Sequence, residues 1–269
     1  MLYKIDKNGF VVNEANPKKV QPYYKKILVE INKLYNEKLG GNLISIYIRG
    51  SVSVGKAKPG ISDIDSIAVT KKELPREELL WIIKASKRLE KKYPKAGFFD
   101  LTVVSLEELK KSKNYKNLRV YLKTQSFLLD GENILSQLPD VTPGKELAMQ
   151  LYGDLPAELE ILKNIFAGKI RDREYLFQKR PTEFWCIWTT RVLLRAGLGV
   201  VMTKRPVYSQ DLKTCYAVFT KEYPQYKKEM KQLFVWSIKP ISNKKKVFAF
   251  LNNFTPKFLE LWQQNIKNN

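Results

Sequence analysis

The chain has 269 residues, of which 44% are hydrophobic and 12% aromatic, enough to bury one large core or two modest ones. Its two cysteines, Cys186 and Cys215, exclude a disulfide framework and fit a reducing cytoplasm. The N-terminal residues lack the apolar region of a signal peptide, and no run approaches the about 20 apolar residues of a membrane span. We therefore expect a cytoplasmic protein without a membrane partner.

The formal net charge of +21 at pH 7 makes nucleic acid a candidate partner. Lysine and arginine are spread evenly along the chain and do not gather in a basic tail or domain. A solvated basic surface is therefore the favoured interpretation, and nucleic-acid binding stays open beside it.

The first half of the chain predicts alternating helices and strands. Apolar residues recur every three or four positions in the predicted helices and every second position in the predicted strands. The predicted helices are residues 17–39 and 75–93, and the predicted strands are residues 44–49, 61–69 and 98–105. Residues 118–129 are a further candidate strand. This order predicts a small mixed sheet with helices on one face.

The first predicted strand ends at Gly50 and Ser51. A glycine followed by a small hydroxyl lets the backbone approach a ligand closely and turn into a helix, whose free N–H groups favour an anion. We therefore predict that Gly50 and Ser51 bind the phosphates of a nucleotide.

Two aspartates separated by one residue, Asp63 and Asp65, mark the second predicted strand. Alternate residues of a strand share one face, so both carboxylates leave the same side and repel each other unless a cation lies between them. Hard oxygen ligands beside a phosphate site suit Mg²⁺ carrying a nucleotide, and the chain contains no histidine.

The Gly-Ser pair, the spacer and the Ser62-Asp-Ile-Asp65 run together resemble the signature of the nucleotidyltransferase superfamily related to DNA polymerase β. The resemblance implies transfer of a nucleoside monophosphate from Mg-NTP to an acceptor hydroxyl, with a third carboxylate on a neighbouring strand. Asp100 is the candidate, because a lone carboxylate at the start of an apolar run needs a partner or a cation. Asp63, Asp65 and Asp100 are then the catalytic residues and the ligands of one or two Mg²⁺ ions, and Ser62 joins the nucleotide-binding residues.

The second half of the chain predicts a helical bundle. Two prolines and a glycine make residues 139–144 the best candidate linker. Apolar residues then recur at helical spacing in residues 146–151, 157–166, 182–196, 209–223, 225–238 and 245–265. We therefore expect an α+β nucleotidyltransferase domain over residues 1–144, followed by an all-α bundle of about five helices over residues 145–269.

One pattern in the predicted bundle extends the resemblance. Arg191 lies in a predicted helix that ends at Gly197-Leu198-Gly199, and Lys204 follows in a loop. This spacing is similar to that in the helical C-terminal domain of the streptomycin/spectinomycin adenylyltransferases. The resemblance implies that Arg191 and Lys204 bind the triphosphate and that an aromatic residue of a later helix, here Trp236, positions the nucleotide.

Two features depart from that family. Its third carboxylate is usually glutamate, whereas this chain has the shorter Asp100. Aminoglycoside acceptors are polycations held by acidic and aromatic groups. Residues 171–181 before the Arg191 helix are instead rich in arginine and lysine, and Glu183, just after them, is the only nearby acidic residue without an adjacent basic one. These charges oppose a cationic acceptor.

The sequence therefore predicts an adenylyltransferase that moves AMP from ATP to a hydroxyl of a small molecule. An aminoglycoside-like antibiotic is the favoured acceptor, which would make the protein an antibiotic-resistance enzyme. Two alternatives stay open, namely a nucleotidyltransferase that acts on RNA, tRNA or a protein, and a non-catalytic nucleotide-binding module.

Overall fold

The computed structural model describes residues 1–170 and 180–267 and divides the chain into two compact units. We call Val11–Val141 the sheet unit, and Met1–Phe10 together with the described part of Thr142–Asn269 the helical unit. The sequence prediction placed residues 1–10 in the first domain. They are part of the helical unit instead, because the Tyr3 N–H donates to the Tyr208 carbonyl (2.9 Å) and the terminal ammonium pairs with Asp211 (3.3 Å).

The sheet unit contains a mixed four-stranded sheet in the order β3-β2-β1-β4. The strands are β1 (Leu43–Arg49), β2 (Ile64–Thr70), β3 (Phe99–Ser105) and β4 (Ser126–Gly131). Strand β1 pairs antiparallel with β2 and β4, whereas β2 and β3 are parallel. The three strands predicted from alternating apolar residues are confirmed, although β2 begins at Ile64, so Asp63 immediately precedes it.

Helices cover both faces of this sheet, so the prediction of helices on one face was wrong. They are α1 (Pro22–Leu39), α2 (Gly50–Ser53), α3 (Trp81–Lys92), α4 (Leu106–Lys111) and α5 (Lys116–Gln125). Ile46 and Ile48 pack in one core with α1 and α3, whereas Tyr47 packs in a second core with α4 and α5. The alternation of β1 therefore supplies side chains to two cores, because consecutive strand residues point to opposite faces.

The candidate strand at residues 118–129 is largely helical. Helix α5 extends to Gln125, and only Ser126–Gly131 forms a strand. The hydroxyl groups of Thr124 and Ser126 donate to carbonyls four residues earlier, at 2.7 and 2.6 Å. A short run with apolar residues at alternate positions is compatible with a strand or with a buried helix. Here the run forms a helix, which packs Leu122 into the second core.

The helical unit confirms the predicted bundle in the part of the chain that the structure describes. Its helices are α6 (Lys145–Tyr152), α7 (Leu155–Phe166), α8 (Thr182–Met202), α9 (Leu212–Glu222), α10 (Lys227–Ile238) and α11 (Lys244–Trp262), which continues into a π-helical turn at Gln263–Lys267. Helix α8 contacts each of the other five. The basic segment 171–179 noted in the sequence lies outside the described residues.

Helix α8 does not end at Gly197-Leu198-Gly199, as the sequence predicted, but continues to Met202. Both glycines are sites of close helix packing. A Cβ atom built on Gly199 would lie 2.5 Å from Cδ2 of Tyr152, and one on Gly197 would lie 3.0 Å from the Met230 methyl carbon. Glycine therefore lets neighbouring side chains approach the helix backbone here.

Among the described residues, helix α8 is long and apolar enough to cross a membrane by length and composition alone, although Arg191 and Arg195 interrupt its apolar run. In its most apolar stretch, 67% of the residues are buried inside the protein. Core helices share this length and composition, and the contacts of α8 with α6, α7 and α9 to α11 give it the surroundings of a core helix.

We predict that Gly199→Ala lowers the free energy of unfolding by about 1–2 kcal/mol, although alanine is the better helix former by about 1 kcal/mol. The reason is the overlap of the new methyl group with the Tyr152 ring. Thermal or urea unfolding measures the change. The control is Gly144→Ala in the same unit, where the backbone is extended and no atom lies within 4 Å of the added carbon. An increase in the melting temperature of Gly199→Ala would contradict the packing role.

Candidate active site

Three charged residues form a row across the sheet, one on each of three neighbouring strands. Arg49 ends β1 and pairs in register with Asp65 on β2, and Asp65 pairs in register with Asp100 on β3. The parallel pairing of β2 and β3 brings the two carboxylates side by side on one face. The predicted meeting of Asp65 and Asp100 is therefore present, with an arginine beside them.

A single nitrogen of Arg49 contacts both carboxylates. Its Nη2 atom donates to Oδ2 of Asp100 at 2.6 Å and lies 3.2 Å from Oδ1 of Asp65. The Arg49 side chain is only 16% exposed, its Cζ atom lies 5.6 Å from the ring centroid of Tyr121, and its buried Nε atom has no hydrogen-bond partner. The guanidinium is thus held by the two aspartates and an aromatic ring.

The electrostatics of the row keep Arg49 charged. Burial acts to lower the pKa of Arg49, but Asp65, Asp100, Tyr121 and Asp63 raise it, and the net pKa lies above its ordinary value. The effect of Asp63 means that its carboxylate lies within electrostatic reach of the same guanidinium. All three predicted carboxylates therefore act on one cation of the protein itself.

The Gly50 turn follows directly after Arg49 and contacts the same row. Gly50 has a φ of +74°, a conformation that favours glycine, and a Cβ atom built there would overlap Oδ2 of Asp65. Ser51 follows in α2 and is half-buried. The chain therefore bends tightly over Asp65, and only glycine permits this approach.

Ser62 is less available to a ligand than the sequence suggested. Its side chain is buried, and its Oγ atom accepts a hydrogen bond of 2.8 Å from the Lys58 N–H. The hydroxyl thus closes the loop between α2 and β2. A role for Ser62 in nucleotide binding stays a prediction.

The set of donors fits one hard cation better than two. Asp63 and Asp65 offer carboxylate oxygens at the start of β2, and Mg²⁺ commonly takes one or two carboxylates and completes its ligands with substrate phosphates. Between Asp65 and Asp100, by contrast, Arg49 already supplies a positive charge. Among residues 1–170 and 180–267, no three aspartate, glutamate, histidine or cysteine side chains form a group able to hold a metal ion. Metal binding by Asp63, Asp65 and Asp100 stays a prediction.

The remaining predicted site residues belong to the helical unit. Arg191 is a half-buried residue of α8, and Lys204 follows that helix. The hydrogen bond with Tyr223 raises the pKa of Lys204, and Glu222, whose Oε1 atom lies 3.5 Å from Nζ, adds to the rise. Trp236 is only 4% exposed and packs edge-on against Phe250, so its ring lies in the helix core. The nucleotide-binding roles of these three residues stay predictions.

Sequence reasoning missed two features. Arg49 is the last residue of the predicted strand 44–49 and was given no role there, whereas the sheet register places it in a row with Asp65 and Asp100. In the helical unit, the indole N–H of Trp188 donates to Oε1 of Glu158 at 2.9 Å, and burial raises the pKa of Glu158. No local motif points to this pair, because its members lie on separate helices.

The four-stranded mixed sheet, the glycine turn and the adjoining carboxylates define a nucleotidyltransferase domain. Residues 24–122 match the family model for the nucleotidyltransferase domain, a stretch that includes β1 to β3 and all three predicted carboxylates. The chain therefore contains a nucleotidyltransferase domain and is an enzyme of the transferase class. A search of curated proteins gave no match.

Among solved structures, the chain is similar to spectinomycin adenyltransferase AAD(9) from Enterococcus faecialis with ATP and spectinomycin. The TM-score is 0.55 at 15% identity, over 85% of this chain and 98% of that one, so the likeness concerns the fold. Two toxin–antitoxin structures each match 50% of this chain. A mutant MntA–HpeT pair has a TM-score of 0.31 at 18% identity over 97% of its chain, and the tri-AMPylated Shewanella oneidensis HEPN toxin with MNT antitoxin has 0.28 at 21% over 91%.

Proposed function

We propose that the protein is a Mg²⁺-dependent adenylyltransferase that moves AMP from ATP to a hydroxyl group of a small-molecule acceptor in the cytoplasm. The observation that carries this proposal is the pairing of Asp65 with Asp100 on parallel neighbouring strands, beside the Gly50 turn. Carboxylates that lie beside a turn whose backbone a phosphate can approach closely suit the transfer of a phosphoryl-type group.

Each residue has a role in this proposal. Asp63 and Asp65 hold the cation, which when bound neutralises the triphosphate and the leaving pyrophosphate. The Gly50-Ser51 turn lets the phosphates approach the backbone. Asp100, whose side chain is 49% exposed, accepts the proton of the acceptor hydroxyl or orients that hydroxyl group. Arg191 and Lys204 remain proposed ligands of the triphosphate.

The proposed acceptor is a cationic, hydroxylated antibiotic of the aminoglycoside kind. The adenyltransferase with a similar fold was solved with spectinomycin and ATP, which supports this class. The basic residues that precede the Arg191 helix in the sequence oppose a cationic acceptor, so the screen also includes other hydroxylated antibiotics.

A pyrophosphate-release screen tests the proposal with each of the four NTPs against aminoglycosides, other hydroxylated antibiotics and total tRNA. We expect release with ATP and at least one small-molecule acceptor, and transfer of a single adenylate by mass spectrometry. Release with tRNA alone would favour the nucleic-acid alternative, which the net charge of +21 motivates. Binding of Mg-ATP without release for any acceptor would indicate a non-catalytic module.

A further inference from the structure

The row of Arg49, Asp65 and Asp100 raises the question of how the charge of the two carboxylates is balanced. Two ionised aspartates on adjacent strands repel each other unless a cation lies between them. In a two-cation centre, a second metal ion shared by Asp65 and Asp100 would balance that charge. In this chain the Nη2 atom of Arg49 lies 3.2 Å from Asp65 and 2.6 Å from Asp100.

Arg49 is built into this position and does not merely reach it from the surface. It belongs to β1, its side chain is 16% exposed, and the Tyr121 ring lies beside its guanidinium. The buried Nε atom lacks a hydrogen-bond partner. A buried donor without a partner is unfavourable, so the contacts of Nη2 with the carboxylates determine how the side chain is placed.

A guanidinium in this place disfavours a further metal ion between Asp65 and Asp100. Oδ1 of Asp65 and Oδ2 of Asp100 are both engaged with Nη2. A divalent ion close to a fixed positive charge in a partly buried site is repelled by it, and the Arg49 charge persists at all physiological pH values. A cation that arrives with the nucleotide would then bind at Asp63 and Asp65, at the start of β2.

We propose that Arg49 replaces one of two divalent cations, so that this nucleotidyltransferase domain binds a single divalent ion on Asp63 and Asp65. Arg49 is then a positioning residue, which holds Asp100 beside Asp65 and balances its charge without a second metal. The inference rests on the proposed function, since it assumes that a nucleotide with its cation binds here.

Counting bound Mn²⁺ ions tests the inference without measuring turnover. The full chain is titrated with Mn²⁺ in the presence of a saturating ATP analogue with a non-hydrolysable α–β bridge, and bound ions are counted by electron paramagnetic resonance. We expect one protein-dependent ion per chain in the wild type. We expect two in Arg49→Met, which has a side chain of similar length without the charge, and one in Arg49→Lys, which restores the charge.

A double variant identifies the ligand of the additional ion. In Arg49→Met/Asp100→Asn we expect the count to return to one, because the second ion has lost a carboxylate. Two ions in the wild type, one ion in Arg49→Met, or two in the double variant would each overturn the inference. Circular dichroism and thermal unfolding identify variants that have lost the fold.

Asp100→Asn alone keeps the inference testable if Arg49→Met does not fold. It should leave the wild-type count at one and the Mn²⁺ affinity within about threefold, whereas loss of an ion would contradict a site confined to Asp63 and Asp65. The outcomes also separate the two proposals. Two wild-type ions with the analogue bound would reject the role of Arg49 but keep the adenylyltransferase, whereas no binding of analogue and ion would reject both.

Discussion

Asp65→Asn should reduce pyrophosphate release by on the order of 10³-fold or more, whatever the acceptor. Asp65 is the central member of the row, since it lies in register with both Arg49 and Asp100 and next to the Gly50 turn. Asparagine keeps the shape of the side chain but removes the negative charge that would bind the cation. The loss should therefore appear in turnover and in nucleotide-dependent metal binding together.

The same substitution should cost only modest stability. It leaves the mostly buried Arg49 guanidinium with Asp100 as its remaining strong ion-pair partner, which we expect to lower the free energy of unfolding by about 1–3 kcal/mol. Thermal unfolding beside the activity assay separates a folded, inactive variant from an unfolded one.

Asp130→Asn is the matched control for Asp65→Asn. Asp130 lies on β4 of the same sheet, and its carboxylate accepts hydrogen bonds from the Asn36 amide group (3.0 Å) and the Gly131 N–H (2.8 Å). An asparagine oxygen can still accept one of these bonds, and we expect turnover within about twofold of the wild type because the change is local. Near wild-type turnover in Asp65→Asn would remove the metal-binding role from this carboxylate.

The structural features around the candidate site that were predicted correctly from the sequence are those encoded within a few residues. The alternation of Ile44, Ile46 and Ile48 identified β1, and the spacing of Asp63 and Asp65 placed two carboxylates at the start of β2. The meeting of Asp65 with Asp100 was also predicted, because the family resemblance implied a third carboxylate on a neighbouring strand, and the parallel pairing of β2 with β3 places it there. Such features depend on local periodicity and on simple sheet geometry.

The parts that were missed depend on contacts between distant segments. The pairing of Arg49 with Asp100 needs the strand order, which no local pattern contains. Gly197 and Gly199 read as a helix end because glycine commonly follows a helix, whereas the contacts of Tyr152 and Phe219 with α8 explain them as packing sites. The tertiary contacts of α5 likewise determine that the short apolar run at its C-terminal half is helical, which periodicity alone left ambiguous.

Gly50→Ala should reduce turnover strongly, because the added methyl group meets a proposed catalytic carboxylate. Two costs add at this position: the φ of +74° is unfavourable for alanine by about 1–2 kcal/mol, and the new methyl group would overlap Oδ2 of Asp65. Asp65 must then move away from the turn or the turn must open. Either movement displaces the carboxylate from Arg49, so we expect turnover to fall by about 10²-fold, in line with the cost of small displacements in a catalytic site.

Gly60→Ala separates these two costs. Gly60 lies in the same unit with a nearly equal φ of +77°, but no atom lies within 4 Å of an added Cβ. Alanine at position 60 should therefore lower the melting temperature through backbone strain and leave turnover within about threefold of the wild type. If both variants lose stability equally and both keep their turnover, the approach of Gly50 to Asp65 has no catalytic consequence. A loss of turnover confined to Gly50→Ala would instead tie the activity to the contact between the turn and this carboxylate.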